Sequence, residues 1–302
     1  VRGETRDVAS DTSAPHPQPL SPQGRGEHSN DGDAFFLLTD ADIKHAPGSL
    51  RRLVSESINA NLGSNSRMAR LRCVSDAEKL LIPAFVYFFN LLYPMRRVNN
   101  PADPLAAGAG GCVLLSKEAI DKLGGGFESI RGEIIDDVNL ARQVKGRGLP
   151  IRLSLSRTEV LSLRDYPLLA DIWKMVRRTA FTELKYSWLR LAGAMAGLTL
   201  LFVVPFLALL VALLLFVLSG SELPLLVLAT GLLAKSTLAL ILMRTVYTPA
   251  IKFFELPPHY SLMLAPAAVL YALMTVDSAL RHARGSASEW RVAPAVEPSA
   301  KS

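Results

Sequence analysis

Two pairs of aspartates are the groups in this sequence best suited to chemistry. Asp40 and Asp42 follow the apolar run FFLLT, and Asp136 and Asp137 end the run EIIDD ahead of the helical pattern VNLARQVKG. Carboxylates one residue apart at the end of an apolar run are hard oxygen donors suited to a divalent cation. They are also suited to an acidic turn in which Asp42 or Ser49 caps the next helix. For Asp136 and Asp137 the corresponding plain role is helix capping. At a helix N-terminus, the helix dipole favours the ionised form of both.

The elements that must position these groups follow from hydrophobic spacing. Phe35 to Leu38 form an apolar run too short for a helix and read as a strand, which predicts Asp40 and Asp42 on one side of its end. GSLRRLVSESINANLG places Leu50, Leu53, Val54, Ile58 and Leu62 at helical spacing between Gly48 and Gly63. A strand, a carboxylate pair and a helix predict a ligand-binding edge of an α/β sheet. Ser75 and Glu78 form a capping box opening SDAEKLLIPAFVYFFNLLYP, a helix expected to be buried or membrane-apposed. A Gly-rich entry, AAGAGG, leads into the strand CVLL and the short helix KEAIDKLG. A helix then begins near Asp136 with Val138, Ala141 and Val144 as its buried stripe, and IRLSLS is a further strand.

The chain has 302 residues, half of them hydrophobic, and a formal net charge of +6. No basic patch is interleaved with aromatics in the manner of a nucleic-acid surface, so nucleic acid is not expected as a partner. Cys73 and Cys112 are too few for a disulfide framework or a cysteine metal cluster. Residues 1–33 are rich in Pro, Gly, Ser and charge and are expected to be disordered. Within them SAPHPQPLSPQGRGE resembles a translated bacterial intergenic repeat. Three apolar segments, about Leu191–Leu218, Leu223–Met243 and Ser261–Leu280, each have the length needed to cross a bilayer. Lys235 lies within the second and is expected to face other helices or to snorkel. DIWKMVRRTAFTELKYSWLR, just before the first, reads as a basic amphipathic helix on the cytoplasmic face. With the α/β domain inside, the SGSE turn lies outside without basic residues, as the positive-inside rule requires. Three crossings, however, put Arg281, Arg284, Arg291 and Lys301 outside, against that rule. Either that tail tolerates export or one segment does not cross.

In combination, the carboxylate pair, AAGAGGCVLL, IRGEIIDDVNLARQVKGRG and SLRDYPLLADIWKMVRRTAFTELKYS resemble the family 2 inverting glycosyltransferases of GT-A type. More narrowly, they look like the hopanoid-biosynthesis-associated membrane glycosyltransferases, over about Phe35 to Arg284. The resemblance implies a metal-binding site (Mg²⁺ or Mn²⁺) at Asp40 and Asp42 and a catalytic base at Asp137, with Asp136 beside it. It also implies donor contacts at Gly110 and Gly111 and an acceptor turn at Gly124 to Gly126. The partners implied are a nucleotide-sugar donor and a lipid or hopanoid-related acceptor, at a bacterial inner membrane with the catalytic domain cytoplasmic.

Two features depart from the family. No Trp follows Arg178 where synthase members end their basic motif, which disfavours a processive synthase. The family's N-terminal half has no counterpart, so the donor site is expected to be incomplete. The expected organisation is a tail (1–33), a partial Rossmann-like GT-A domain (34–165), an interfacial helix (166–190), about three transmembrane helices (191–284) and a C-terminal tail (285–302). The alternative function is a catalytically silent membrane protein with a role in assembly. A small transporter would fit the spans but leaves the acidic motifs unexplained.

Overall fold

The computed structural model describes residues 34–124, 136–220 and 222–285. The tail 1–33, the residues after 285, the turn glycines Gly125 and Gly126 and the stretch before Asp136 lie outside the described residues, as do the expectations attached to them.

Strand β1 (Phe35–Thr39) is followed by the short β2 (Ile43–His45), helix α1 (Ser49–Asn59) and β3 (Ser64–Met68). Helices α2 (Asp76–Leu92) and α3 (Met95–Val98) lead to β4 (Cys112–Ser116), α4 (Lys117–Lys122), α5 (Asp136–Gly146), β5 (Ile151–Leu155) and β6 (Val160–Ser162). The main sheet has the order β1-β4-β3-β5, and β2 pairs with β6 in a separate ribbon. β4 runs antiparallel to both β1 and β3, whereas β3 and β5 are parallel. β1 is thus an edge strand whose register sets Thr39 opposite Cys112. That register brings the residues after β1 beside the Gly-rich entry to β4.

The predicted strand β1 and helices α1, α2, α4 and α5 are all present. Val138, Ala141 and Val144 of α5 are buried against Val113 and Leu115 of β4 and Ile151 and Leu153 of β5. Burial of each larger aliphatic side chain there contributes roughly 1.5–3 kcal/mol. Lys145 fixes the far end of α5 by donating to the carbonyls of Val98 and Leu105, each at 2.7 Å. Helix α1 differs from its predicted face. Leu50 and Ile58 are exposed, and the buried stripe is Ser49, Leu53 and Ser57. The interior strand β3, SNSRM, escapes a search for apolar runs because several of its polar groups are hydrogen-bonded inside the protein, although Asn65 Oδ1 and Arg67 Nε are buried without a hydrogen-bond partner. Asn65 donates to the Leu53 carbonyl and the Ser57 hydroxyl, and Ser66 bonds both the N–H and C=O of Ala109.

After β6 come α6 (Leu169–Glu183), α7 (Trp188–Leu198), a π-helical turn (Thr199–Val203), α8 (Val204–Leu218) and α9 (Leu223–Phe253). A 3₁₀ turn (Pro258–Met263) then opens α10 (Leu264–Ala283). The predicted amphipathic helix breaks after Glu183, where Lys185 and Tyr186 take left-handed conformations. Its second part, from Trp188, is the start of the first apolar segment. The π turn lies directly before Pro205, whose ring and missing N–H disturb the hydrogen bonding of the preceding turn. Among the described residues, three continuous helical segments are long and apolar enough to cross a membrane: Trp188–Leu218, Leu223–Phe253 and Pro258–Ala283. Lys235 is exposed on the outer face of α9. α2 meets the expectation of a buried helix. Leu81, Ile82 and Ala84 are inaccessible, and α2 packs on α6, α9 and α10.

Candidate active site

The end of β1, the Gly-rich entry to β4 and the start of α5 enclose a groove of about 400 Å³. It is lined by Leu37, Leu38, Thr39, Asp40, Gly110, Val113, Asp137 and Leu140. Carboxylates from both predicted pairs, Asp40 and Asp137, therefore meet in one depression, although they are far apart in sequence.

Two consecutive glycines hold the two sides. The Gly110 N–H donates to Asp137 Oδ2 at 2.8 Å, while the Val138 N–H donates to Oδ1 of the same carboxylate at 2.8 Å. The Gly111 carbonyl accepts from Thr39 Oγ1 at 3.1 Å and from the Asp40 N–H at 3.4 Å. A third glycine, which sequence spacing did not single out, is the one that sterics require. A Cβ on Gly108 would sit 2.8 Å from the Asp137 carbonyl oxygen, whereas on Gly110 it would meet Asp137 at 3.6 Å, an ordinary contact. The signal in the sequence was the whole AAGAGG run rather than its last two residues.

Asp40 and Asp42 take different positions. β1 stops at Thr39, and the Ile43 N–H closes a turn onto the Asp40 carbonyl at 3.2 Å. Strand alternation therefore does not extend through the pair. Asp40 is exposed and lines the groove. Asp42 is half-buried and close enough to Tyr166 to act on its hydroxyl, which burial first of all pushes up. The Asp42 carbonyl accepts from the Leu163 N–H at 2.8 Å, joining this turn to the end of β6. Thr39 Oγ1 also bonds His45 Nε2 at 2.8 Å. Among the described residues no group of three or more His, Cys, Asp or Glu side chains is placed to hold a metal ion. A cation at this turn would take one or two carboxylates from the protein and its remaining oxygens from a ligand and water. That donor set fits an ion of the Mg²⁺ type, which is commonly held by one or two carboxylates together with substrate phosphates.

α5 begins at Asp136, but the Asp136 side chain lies outside what is described. Gly124 has φ of +70°, a conformation that suits glycine at this turn. Beside α5, Tyr93 at the end of α2 donates its hydroxyl to Glu183 Oε2 of α6 at 2.6 Å. Burial, followed by the Glu183 carboxylate, holds that hydroxyl well above its ordinary value, and the charges of Arg142 and Asp137 also reach it. The sequence had offered no reason to pair these two residues. Arg177, within the predicted basic motif, is turned to α10, where it donates to Asp277 at 3.4 Å.

Comparison with protein families finds that residues 32–277 match the model described as Glycosyl transferase family 21. No curated protein matches the chain.

Proposed function

The chain belongs to glycosyl transferase family 21, and from that premise we propose that it moves a sugar from a nucleotide-sugar donor to a lipid or hopanoid-related acceptor, with inversion at the anomeric carbon. The reading includes a GT-A-type domain related to the family 2 enzymes, on the cytoplasmic face of a bacterial inner membrane. The observation that carries it is the pair Gly110 and Gly111. One holds the Asp137 carboxylate and the other holds the turn that presents Asp40, on either side of one groove.

In this reading Asp137 accepts the proton of the acceptor hydroxyl as its oxygen attacks the anomeric carbon opposite the leaving diphosphate. The N–H groups of Gly110 and Val138 orient the carboxylate. Asp136, the other member of the acidic pair, precedes the base in sequence. Gly110 and Gly111 expose backbone to the sugar, and Asp40 and Asp42 face the diphosphate. A divalent cation bound at Asp40 and Asp42 would neutralise the charge of that diphosphate.

The test supplies a panel of radiolabelled nucleotide sugars and total membrane lipid to the full chain in detergent, and counts label in the organic phase. Asp137→Asn should lower turnover by ~10²–10⁴-fold, the span expected for loss of a general base. Donor binding should be nearly unchanged. Asp42→Asn should weaken Mn²⁺-dependent binding of the donor in calorimetry. Full turnover by Asp137→Asn would remove the assignment of the base. Neither transfer nor metal-dependent donor binding by the parent chain would favour the silent, assembly role.

A further inference from the structure

We infer that the chain crosses the bilayer twice rather than three times. The helices α7–α8 and α9 form a crossing hairpin, whereas Pro258–Ala283 lies along the bilayer surface on the side of the α/β domain. The inference does not depend on the proposed chemistry.

Length and composition cannot separate the three segments, but their attachments can. A spanning helix must have its ends about 30 Å apart, on opposite sides of the hydrocarbon. The third segment is fastened to the α/β side at its start, middle and end. Just before it, Glu255 accepts from Arg70 at 3.2 Å, and the Arg70 guanidinium lies 6.0 Å from the centre of the Phe253 ring. Arg70 is part of the α/β body. Its N–H donates to the Val160 carbonyl, and its own carbonyl accepts from the Ser162 N–H. Midway, the Tyr271 hydroxyl donates to the Leu81 carbonyl of α2 at 2.9 Å. At the end, Asp277 accepts from Trp173 Nε1 at 2.8 Å, and Ser278 Oγ accepts from the Phe181 N–H at 3.1 Å. His282 stacks on Tyr186, with ring centres 4.4 Å apart. The exposed Arg70–Glu255 pair contributes little energy, but its position is informative.

α10 packs on α7 and the π turn as well, but most extensively on α6, and α6 argues the same way. α6 carries Asp171, Lys174, Arg177, Arg178 and Glu183. Each charged side chain taken to the bilayer centre costs roughly 2.5–3.5 kcal/mol or more, so α6 stays at the surface and α10 stays with it.

Exposure separates the segments too. In its most apolar stretch the third segment is 44% buried, against 11% for each of the other two. What α10 and its 3₁₀ turn leave open is a stripe formed by Leu262, Val269, Leu273 and Leu280. A single apolar stripe ending at Arg281 and Arg284 suits the boundary between headgroups and acyl chains. α8 and α9, in contrast, touch mainly each other over their distal halves and expose Leu207, Leu214, Val217, Leu228, Leu238 and Leu242. Two crossings also put Arg281 and Arg284 on the same side as Lys174, Arg177 and Arg178. The conflict with the positive-inside rule then disappears.

Single cysteines at exposed positions test this in the full chain: Arg51→Cys on α1, Glu222→Cys at the hairpin turn, His259→Cys and Arg284→Cys at the two ends of the third segment. The native thiols give little background near neutral pH, because burial pushes Cys73 up to about 12 and Cys112 up to about 11. Sealed inside-out membrane vesicles are treated with a membrane-impermeant maleimide, with and without detergent. Arg51→Cys, His259→Cys and Arg284→Cys should label alike in sealed vesicles, and Glu222→Cys should behave oppositely, reacting only on the other side of the detergent barrier. Full labelling in detergent checks that every thiol is reachable. Arg284→Cys labelling with Glu222→Cys would show that the third helix crosses and overturn the inference. All four labelling on one side would overturn the hairpin as well.

Discussion

Removing the carboxylate of Glu78 should destabilise the α/β body more than any surface change, and the size of the effect follows from its bonds. Glu78 is fully buried, and its two oxygens accept from the N–H groups of Val74 at 2.7 Å, Ser75 at 2.8 Å and Tyr166 at 2.8 Å. The first two close the N-terminus of α2, and the third ties α2 to the segment leading into α6. Glu78→Ala leaves three amides without this acceptor. Hydrogen bonds to a charged group contribute ~1.5–3 kcal/mol each, and with partial rescue by water we expect a loss of ~3–5 kcal/mol. At ~2–4 °C per kcal/mol for a domain of this size, the melting temperature in detergent should fall by ~6–20 °C. The pH dependence has a definite sign. Burial alone would raise the Glu78 carboxyl, but the three amides and then Arg72 outweigh it and hold it below its ordinary 4.5. A depressed folded value means the contribution is present above the unfolded carboxylate range and is lost as pH falls through the folded value. The gap between the parent and Glu78→Ala should therefore be widest near neutral pH and should narrow on acidification below 4.5. A neutral-pH melting temperature within about 2 °C of the parent would refute the reasoning, because a shift that small is under 1 kcal/mol.

Gly108→Ala should impair the site more than Gly110→Ala, since only the former drives a Cβ against backbone, 2.8 Å from the Asp137 carbonyl oxygen. Donor-binding calorimetry and thermal melts on both variants check the order, and equal behaviour would remove the steric role of Gly108. The chain should stay with membranes through a carbonate wash, because the crossing hairpin buries its apolar side chains in lipid; recovery as a soluble folded monomer would contradict this.

Local signals were legible where a short motif and its structure share one cause. Ser75 and Glu78 read as a capping box, and both reciprocal bonds are made. The Val138, Ala141 and Val144 stripe predicted the buried face of α5 because the apolar spacing and the packing coincide. β3 was illegible because the partners that make SNSRM a good interior strand, Leu53, Ser57 and Ala109, come from elsewhere in the chain. On α1 the apolar count favoured Leu50 and Ile58, yet Ser49 and Ser57 are buried. The Ser57 hydroxyl bonds the Leu53 carbonyl one turn earlier, which lets it sit inside. At the groove, the acidic pairs could be seen in the sequence, but their meeting through Gly110 and Gly111 depends on the β1–β4 register. Hydropathy found three long helices and could not register that the third is bonded to α2 at its middle and to α6 at its end.

The 31 residues of α9 bear on how the protein accommodates bilayers of different thickness. At 1.5 Å per residue the helix is about 46 Å long, but its apolar part, Leu223–Met243, accounts for about 30 Å, close to the thickness of a hydrocarbon core, and the rest, from Arg244 on, reaches into the α/β side. In a membrane thinner than that, the excess is relieved by tilt. The C-terminal end of α9 is not free to swing, because Tyr247 and Ile251 are buried in the shared core and Arg70 grips Phe253 and Glu255. Thinning or thickening of the membrane is therefore absorbed by the distal half of the hairpin, toward Leu218 and Leu223. The hairpin acts as a compliant stem, and the sheet that carries the groove is insulated from the thickness of the membrane in which it is anchored.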